Sequence, residues 1–179
     1  MSVKSLCCAA FLFALCSSCV DSATTGDRDS SASDSTTAVQ VKAANMGLGG
    51  TYSFGTDPEQ GAVGSLTVYP ETDSTFLFYL DFSKGAPSYN MGIISGRARL
   101  RNETWKYLNN GLDPVEACGI EFMFSEKFVQ IVTRENGCGF GANVLVDHVY
   151  DRTSTTVPEF FTGPEGDTVY FSNLAKAVK

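Results

Sequence analysis

TFLFYLDFSKG, residues 75–85, is the stretch on which the fold turns. Phe76, Phe78, Leu80 and Phe82 alternate with Leu77, Tyr79 and Asp81. A period of two places successive side chains on opposite faces of an extended strand. Lys84 and Gly85 then break the run, as turn residues do. The same texture continues downstream. In MGIISGRARLRN (91–102), Ile94, Gly96, Ala98 and Leu100 face one way, and Ser95, Arg97, Arg99 and Arg101 the other. Asn102 and Glu103 make a tight connection to TWKYLNN, with Trp105 and Tyr107 in phase. CGIEFMFSE puts Cys118, Ile120, Phe122 and Phe124 on one side; KFVQIVTR, NVLVDHVYDR and DTVYFS follow, and GSLTVYP lies upstream. Short alternating runs punctuated by Gly, Pro, Asn and Asp predict an all-β antiparallel domain of eight or nine strands. Sequential hairpins with short turns favour a small closed barrel of the calycin or lipocalin meander type, with a sandwich as the alternative.

Upstream of Gly49 the chain changes character. MSVKSLCCAAFLFALCSSC carries one early cation, Lys4, and an apolar run from Leu6 to Leu15 that is too short to span a bilayer, so residues 1–18 read as a secretory signal. Residues 19–48 are rich in Ser, Thr, Asp and Ala and have no strand or helix period. They read as a disordered tether with a root-mean-square span of about 25–30 Å. The β domain is expected over 49–152 and a C-terminal extension over 153–179. In that extension Phe160 and Phe161 are expected over a barrel end, TVYF as an edge strand, and SNLAKAVK as a helical turn capped by Ser172 or Asn173.

With 13 Lys+Arg against 20 Asp+Glu, the net charge of −7 argues against nucleic acid as a partner, because phosphate backbones need local positive charge. Of six cysteines, three fall in the signal and Cys19 follows it, leaving Cys118 and Cys138 in the β domain. An even pair in an oxidising compartment is first a disulfide. A zinc site would need a fourth ligand, and none is evident beside these two thiols and His148, the chain's single histidine. Gly139 and Gly141 flank Phe140, so positive φ is expected at one or both, with Phe140 driven inward as a plug. DPEQG and GPEGD lack the alternating oxygen ligands of a calcium loop. No metal and no cofactor are expected.

Two resemblances add to this reading. Ser17 and Ser18 before Cys19 resemble the lipobox of bacterial lipoproteins, although Cys16 stands where a leucine is usual. The resemblance implies lipidation at Cys19, and with it an anchor on the bacterial outer membrane. CGIEFMF followed by CGFGANVLVDHVY is similar to a small secreted β-domain of uncharacterised bacterial lipoproteins, over roughly Gly49 to Arg152. More loosely, the architecture resembles calycin barrels and the small barrels of periplasmic lysozyme inhibitors. These likenesses imply a fold and a compartment and carry no activity.

Chemistry is weakly signalled. Asp147 and His148 supply two letters of a hydrolytic triad, but strand neighbours point to opposite faces, so Asp147 cannot readily orient the imidazole. His148 and Tyr150 share the inward phase of Val144 and Val146 and are expected as core or ligand-contacting groups. Ser95 in GIISG is not a nucleophile elbow. Glu71/Asp73 and Glu159/Glu165 sit in turns, where charge is ordinarily solvated. Arg97, Arg99 and Arg101 line one strand face about 7 Å apart. That stripe suits an acidic protein or a polyanionic glycan, or it simply blunts aggregation. Tyr52, Tyr69, Tyr79 and Tyr89 would form a second patch if they face outward. The expected function is therefore binding in the cell envelope, as a module or an inhibitor. Carriage of a small apolar ligand inside the barrel is the alternative, and an enzyme centred on His148 is the third reading.

Overall fold

The computed structural model describes residues 47–111 and 114–178. The expected signal (1–18), Cys19 and the tether as far as residue 46 lie outside the described residues. The alternating runs form a closed eight-stranded antiparallel barrel, in which every strand pairs with its neighbour in sequence. The strands are β1 (Gly50–Phe54), β2 (Val63–Pro70), β3 (Thr75–Ser83), β4 (Met91–Arg101), β5 (Thr104–Asn109), β6 (Cys118–Phe124), β7 (Phe128–Asn136) and β8 (Val149–Ser154). β8 returns to β1 through Tyr52↔Arg152 and Ser53↔Asp151, which leaves no sheet edge at that point. The barrel reading thus holds over the sandwich. The β4–β5 connection is a two-residue turn with both Asn102 (φ 49°) and Glu103 (φ 63°) in the left-handed region. That geometry matches the right-handed twist of the strands it joins.

The inward phase is aromatic. Phe76, Phe78, Leu80 and Phe82 are all at most 2% exposed. Phe122 of β6 meets Phe76 edge-on at 5.4 Å and Phe78 at 5.0 Å. Two glycines on β4 let rings close over that strand: a Cβ on Gly92 would lie 2.8 Å from the Phe140 ring, and one on Gly96 would collide with Tyr107. Gly139 has φ +72° and Phe140 packs against the core, as the flanking glycines suggested. Cys118 and Cys138 are disulfide-bonded, with Cα atoms 4.5 Å apart.

The structure corrects the expectation for the C-terminal segment. Among the described residues β9 (Phe160–Thr162) and β10 (Thr168–Tyr170) pair only with each other, and α1 (Phe171–Ala177) follows. The three elements lie on the barrel wall rather than over its end: Phe161 and Phe171 pack on Leu77 and Tyr79, the outward residues of β3. The cause is in β3 itself. Its outer face carries the large apolar groups Leu77 and Tyr79, and about 25 cal/mol per Å² favours covering such a surface. TVYF does supply a strand, β10, but it pairs with β9 and not with the barrel. Neither Ser172 nor Asn173 caps the helix; its N-cap is Tyr170, with no side-chain cap bond. Arg97 seals the far end of this strap. Its guanidinium donates to both Glu71 oxygens at 2.7 Å, to the Ala175 carbonyl at 2.8 Å and to the Val178 carbonyl.

NVLVDHVYDR is also shorter as a strand than its pattern implies. Asn143 (φ 58°) turns the chain, and β8 starts only at Val149. Asp147 Oδ1 accepts from the Thr133 N–H at 2.9 Å and the Thr133 hydroxyl at 2.6 Å, so a side chain stands in for a ladder carbonyl. Inward alternation survives the loss of strand geometry: Val144, Val146 and Tyr150 are all buried.

Candidate functional site: the distal rim

An up-and-down barrel puts alternate connections at opposite ends, and here the two ends differ. The end where the chain enters β1 has tight turns at 71–74, 102–103 and 125–127. The opposite, distal end carries the longer connections 55–62, 84–90, 110–117 and 137–148. Loops on a rigid scaffold are where recognition usually resides.

The distal loops are tied to one another. The Ala86 N–H donates to the Pro58 carbonyl at 2.8 Å, and the Tyr89 hydroxyl donates to Glu59. Gly85, at φ +73°, lies so close to Gly61 that no Cβ fits between them. The Asn90 amide donates to the Ala142 carbonyl at 2.8 Å, and the Gly141 N–H to the Met91 carbonyl at 2.9 Å. The disulfide and a Gly137 N–H to Ala117 carbonyl bond then fasten the 137–148 segment to the start of β6. Exposed apolar side chains on this end include Tyr89, Met91, Val115 and Leu145, while Leu100, Met123 and Phe128 are exposed toward the opposite one. A cleft of about 290 Å³ opens between Thr133, Asn136 and the Phe140–Leu145 segment. Cross-tying of this kind holds the four connections in one arrangement.

Each residue singled out from sequence has a definite place. Tyr150 is fully buried and its hydroxyl donates to the Val146 carbonyl at 3.3 Å; burial, with Asp147 and Asp81 nearby, pushes its ionisation far up. It offers nothing to a surface ligand. His148 lies in a near-parallel cluster with Phe54 (4.0 Å) and Phe82 (5.4 Å) at the distal end. Burial lowers its pKa below 6.5, only partly opposed by Asp147. The Asp147 carboxylate is engaged with Thr133, so it does not orient the imidazole as a triad acid would. Arg97 is withdrawn from the exposed stripe by Glu71 and the strap, whereas Arg99 and Arg101 remain exposed on the wall. The tyrosines do not form one patch: Tyr52 is inside, Tyr79 is under the strap and Tyr69 stacks on Phe171, leaving Tyr89 at the rim.

DPEQG spends its acid on its own turn, with Asp57 accepting from the Glu59 N–H and the Gln60 amide. GPEGD is the β9–β10 turn, closed by a Gly163 N–H to Asp167 carbonyl bond. Among the described residues no group of three or more His, Cys, Asp and Glu is placed to hold a metal ion. Sequence reading passed over Asp81, a lone acid in a phenylalanine-rich strand. It lines a second cleft of about 290 Å³ with Ser65, Ser83 and Met91, and burial raises its pKa.

The His148 environment gives a pH expectation. The ring is charged less readily when folded, so between its lowered pKa and 6.5 the unfolded chain binds a proton that the folded chain does not. Stability therefore includes a term that is complete above about pH 6.5 and is lost as pH falls through this window. Urea midpoints at pH 7.5 and 5.5 should drop more for the native chain than for His148→Phe, which keeps an aromatic ring without a titrating group. Equal drops would show that His148 is not the proton acceptor.

Comparison with family models, with curated proteins and with solved structures finds no match to this chain.

Proposed function

We propose that this chain is a lipid-anchored bacterial envelope protein that works by binding, with the distal rim of the barrel as its contact surface. One observation carries the reading. The longer, cross-tied loops lie at the end opposite the point where the chain enters β1. A lipid on Cys19 would leave the tether attached at the near end and the rim directed away from the membrane. The partner is an envelope protein or glycan, and the mode is that of a recognition module or an inhibitor. The calycin-like barrel supports this, as does the disulfide, which suits an oxidising compartment. The carrier reading has less behind it, because Phe76, Phe78, Phe82 and Phe122 occupy the barrel interior. The enzyme reading requires an accessible, oriented histidine, and His148 is stacked among phenylalanines.

Expression with the native leader in a bacterial host tests both parts. Cys19→Ser should move the protein from the membrane to the soluble fraction and abolish labelling by a palmitate analogue. Leu145→Asp should leave anchoring and folding intact and reduce capture of envelope partners by cross-linking. Membrane retention of the serine variant would overturn the anchor. Unchanged capture by the aspartate variant would move the contact surface off the rim.

A further inference from the structure

Asp81 carries a charge that nothing in the fold answers. It lies two residues before the distal end of β3, between Ser65 of β2 and Ile93 of β4. The side chain is half-buried. Among the described residues its carboxylate has no hydrogen bond and no ion pair; the ion pairs are Arg97–Glu71, Lys106–Glu121 and Arg134–Glu121. Burial raises its pKa and no nearby cation opposes the shift. A carboxylate taken partly out of water without a partner costs free energy that a cation brought from outside would recover. The cleft it lines has room for one. Ser65 is its cross-strand neighbour, and Ser83 follows on the same face about 7 Å away, so a carboxylate and two hydroxyls border one opening. Ser83 Oγ is held in place by accepting from the Gly85 N–H at 3.2 Å. Val63 and Met91 supply apolar flanks. Three oxygens with such flanks suit an ammonium on an alkyl stem, which donates through three N–H groups and covers apolar surface with its methylenes.

The rim around this cleft has the same sign. Among the described residues, the four distal connections hold Asp57, Glu59, Glu116 and Asp147 against Lys84 alone. Glu135 stands near the distal end of β7, and Arg134, beside it in sequence, is held by Glu121 at 2.7 Å. None of these rim acids is ion-paired within the described residues. Their bonds go to neutral groups, Glu59 to the Tyr89 hydroxyl and Asp147 to Thr133, which leave the charge in place. Tyr89, Met91 and Leu145 are exposed among them. Several unpaired acids at one end of a barrel favour the approach of a positively charged surface.

We infer that the distal rim receives a basic protein, and that the Asp81 cleft seats one lysine side chain of that partner. Its ammonium meets the Asp81 carboxylate and the hydroxyls of Ser65 and Ser83, and its stem lies against Val63 and Met91. The inference rests on the reading of the rim as the contact surface and adds the chemistry of what meets it.

Amide chemical-shift mapping on the intact secreted chain tests it. The probe is the capped octapeptide (Lys-Ser)4. The controls are (Glu-Ser)4 and the same lysine peptide acetylated at every side-chain nitrogen, which keeps the stem and removes the charge. At millimolar concentration (Lys-Ser)4 should shift the amides of Ser65, Asp81, Ser83 and Met91, and the controls should not. Asp81→Asn, which keeps the shape, should fold and weaken binding about tenfold or more, the worth of one charge-assisted bond. Glu116→Gln, an exposed rim charge outside the cleft, should weaken it no more than about twofold, since exposed pairs contribute little. An equal response to the acetylated peptide would overturn the inference. So would unchanged affinity in Asp81→Asn, shifts confined to Glu165 and Asp167 of the β9–β10 turn, or no binding. Failure of the rim itself reads separately, as unchanged envelope capture by Leu145→Asp. Capture lost in that variant, with no response to (Lys-Ser)4, would leave the rim in place and refute only the basic partner.

Discussion

Phe171→Ala should detach the C-terminal strap and cost about 3–5 kcal/mol of the stability of that unit. Phe171 has no exposed surface, stacks on Tyr69 at 5.3 Å and tilts against Phe161 at 5.2 Å. Deleting the ring leaves a hole that a seven-residue helix cannot collapse to fill. The barrel closes through its own ladder and should survive. Limited proteolysis should then cut between Thr155 and Val178 while the eight strands resist. A dye that binds apolar surface should report the uncovered Leu77 and Tyr79. The Arg97 anchor is the second half of the same device. Burial alone would raise the Glu71 carboxyl, but the bonds from Arg97 and Thr75 outweigh it and hold the group below its usual range. Arg97→Ala should therefore loosen the strap in the same assay, and the double variant should cost less than the two single losses added, since both act on one element. An intact, protease-resistant strap in Phe171→Ala would show that β9 and β10 hold it without the helix.

Cys118→Ser/Cys138→Ser should lower unfolding stability by about 3 kcal/mol, because the bond closes a chain segment of 20 residues in the unfolded state. For a domain of this size that corresponds to a fall in Tm on the order of 10 °C. Denaturant unfolding of the oxidised chain and the double serine variant measures it, and a loss under about 1 kcal/mol would refute the expectation. The effect should be local as well. Cys118 begins β6 and Cys138 begins the segment that carries Phe140 over Gly92 and joins Asn90 through Ala142. Without the bond, amides of 137–148 should exchange faster than those of β3. The cross-tied rim would loosen before the barrel does.

Period-two alternation made most of the barrel legible, because a pleated strand with one wet face writes its orientation directly into residue order. TFLFYLDFSKG is the informative exception: its outward phase also carries large apolar groups at Leu77 and Tyr79, a sign that the outer face is partly covered, but not of what covers it. Phe161 and Phe171 supply the cover from far along the chain, and no local pattern connects them to Leu77 and Tyr79. The same distance hid the role of Arg97. Its strand phase made it look solvated, while Glu71, Ala175 and Val178 were placed around it by packing. His148 and Tyr150 were legible as inward residues, but whether inward meant a ligand site or a filled core depended on the volume of the neighbouring rings. NVLVDHVYDR kept its alternation without its ladder, because Asp147 took a bond that strand pairing would have used.

Residue order by itself determined the fold class, the inward phase of each strand and the two cysteines available to the β domain, since these follow from local periodicity and counting. Only the tertiary structure decided that the strands close on themselves and that the last segment straps the wall. It also decided that the longer loops gather at one end. Those outcomes depend on register and on contacts between residues far apart in the chain, where packing volume and backbone pairing, rather than neighbouring side chains, determine the free energy.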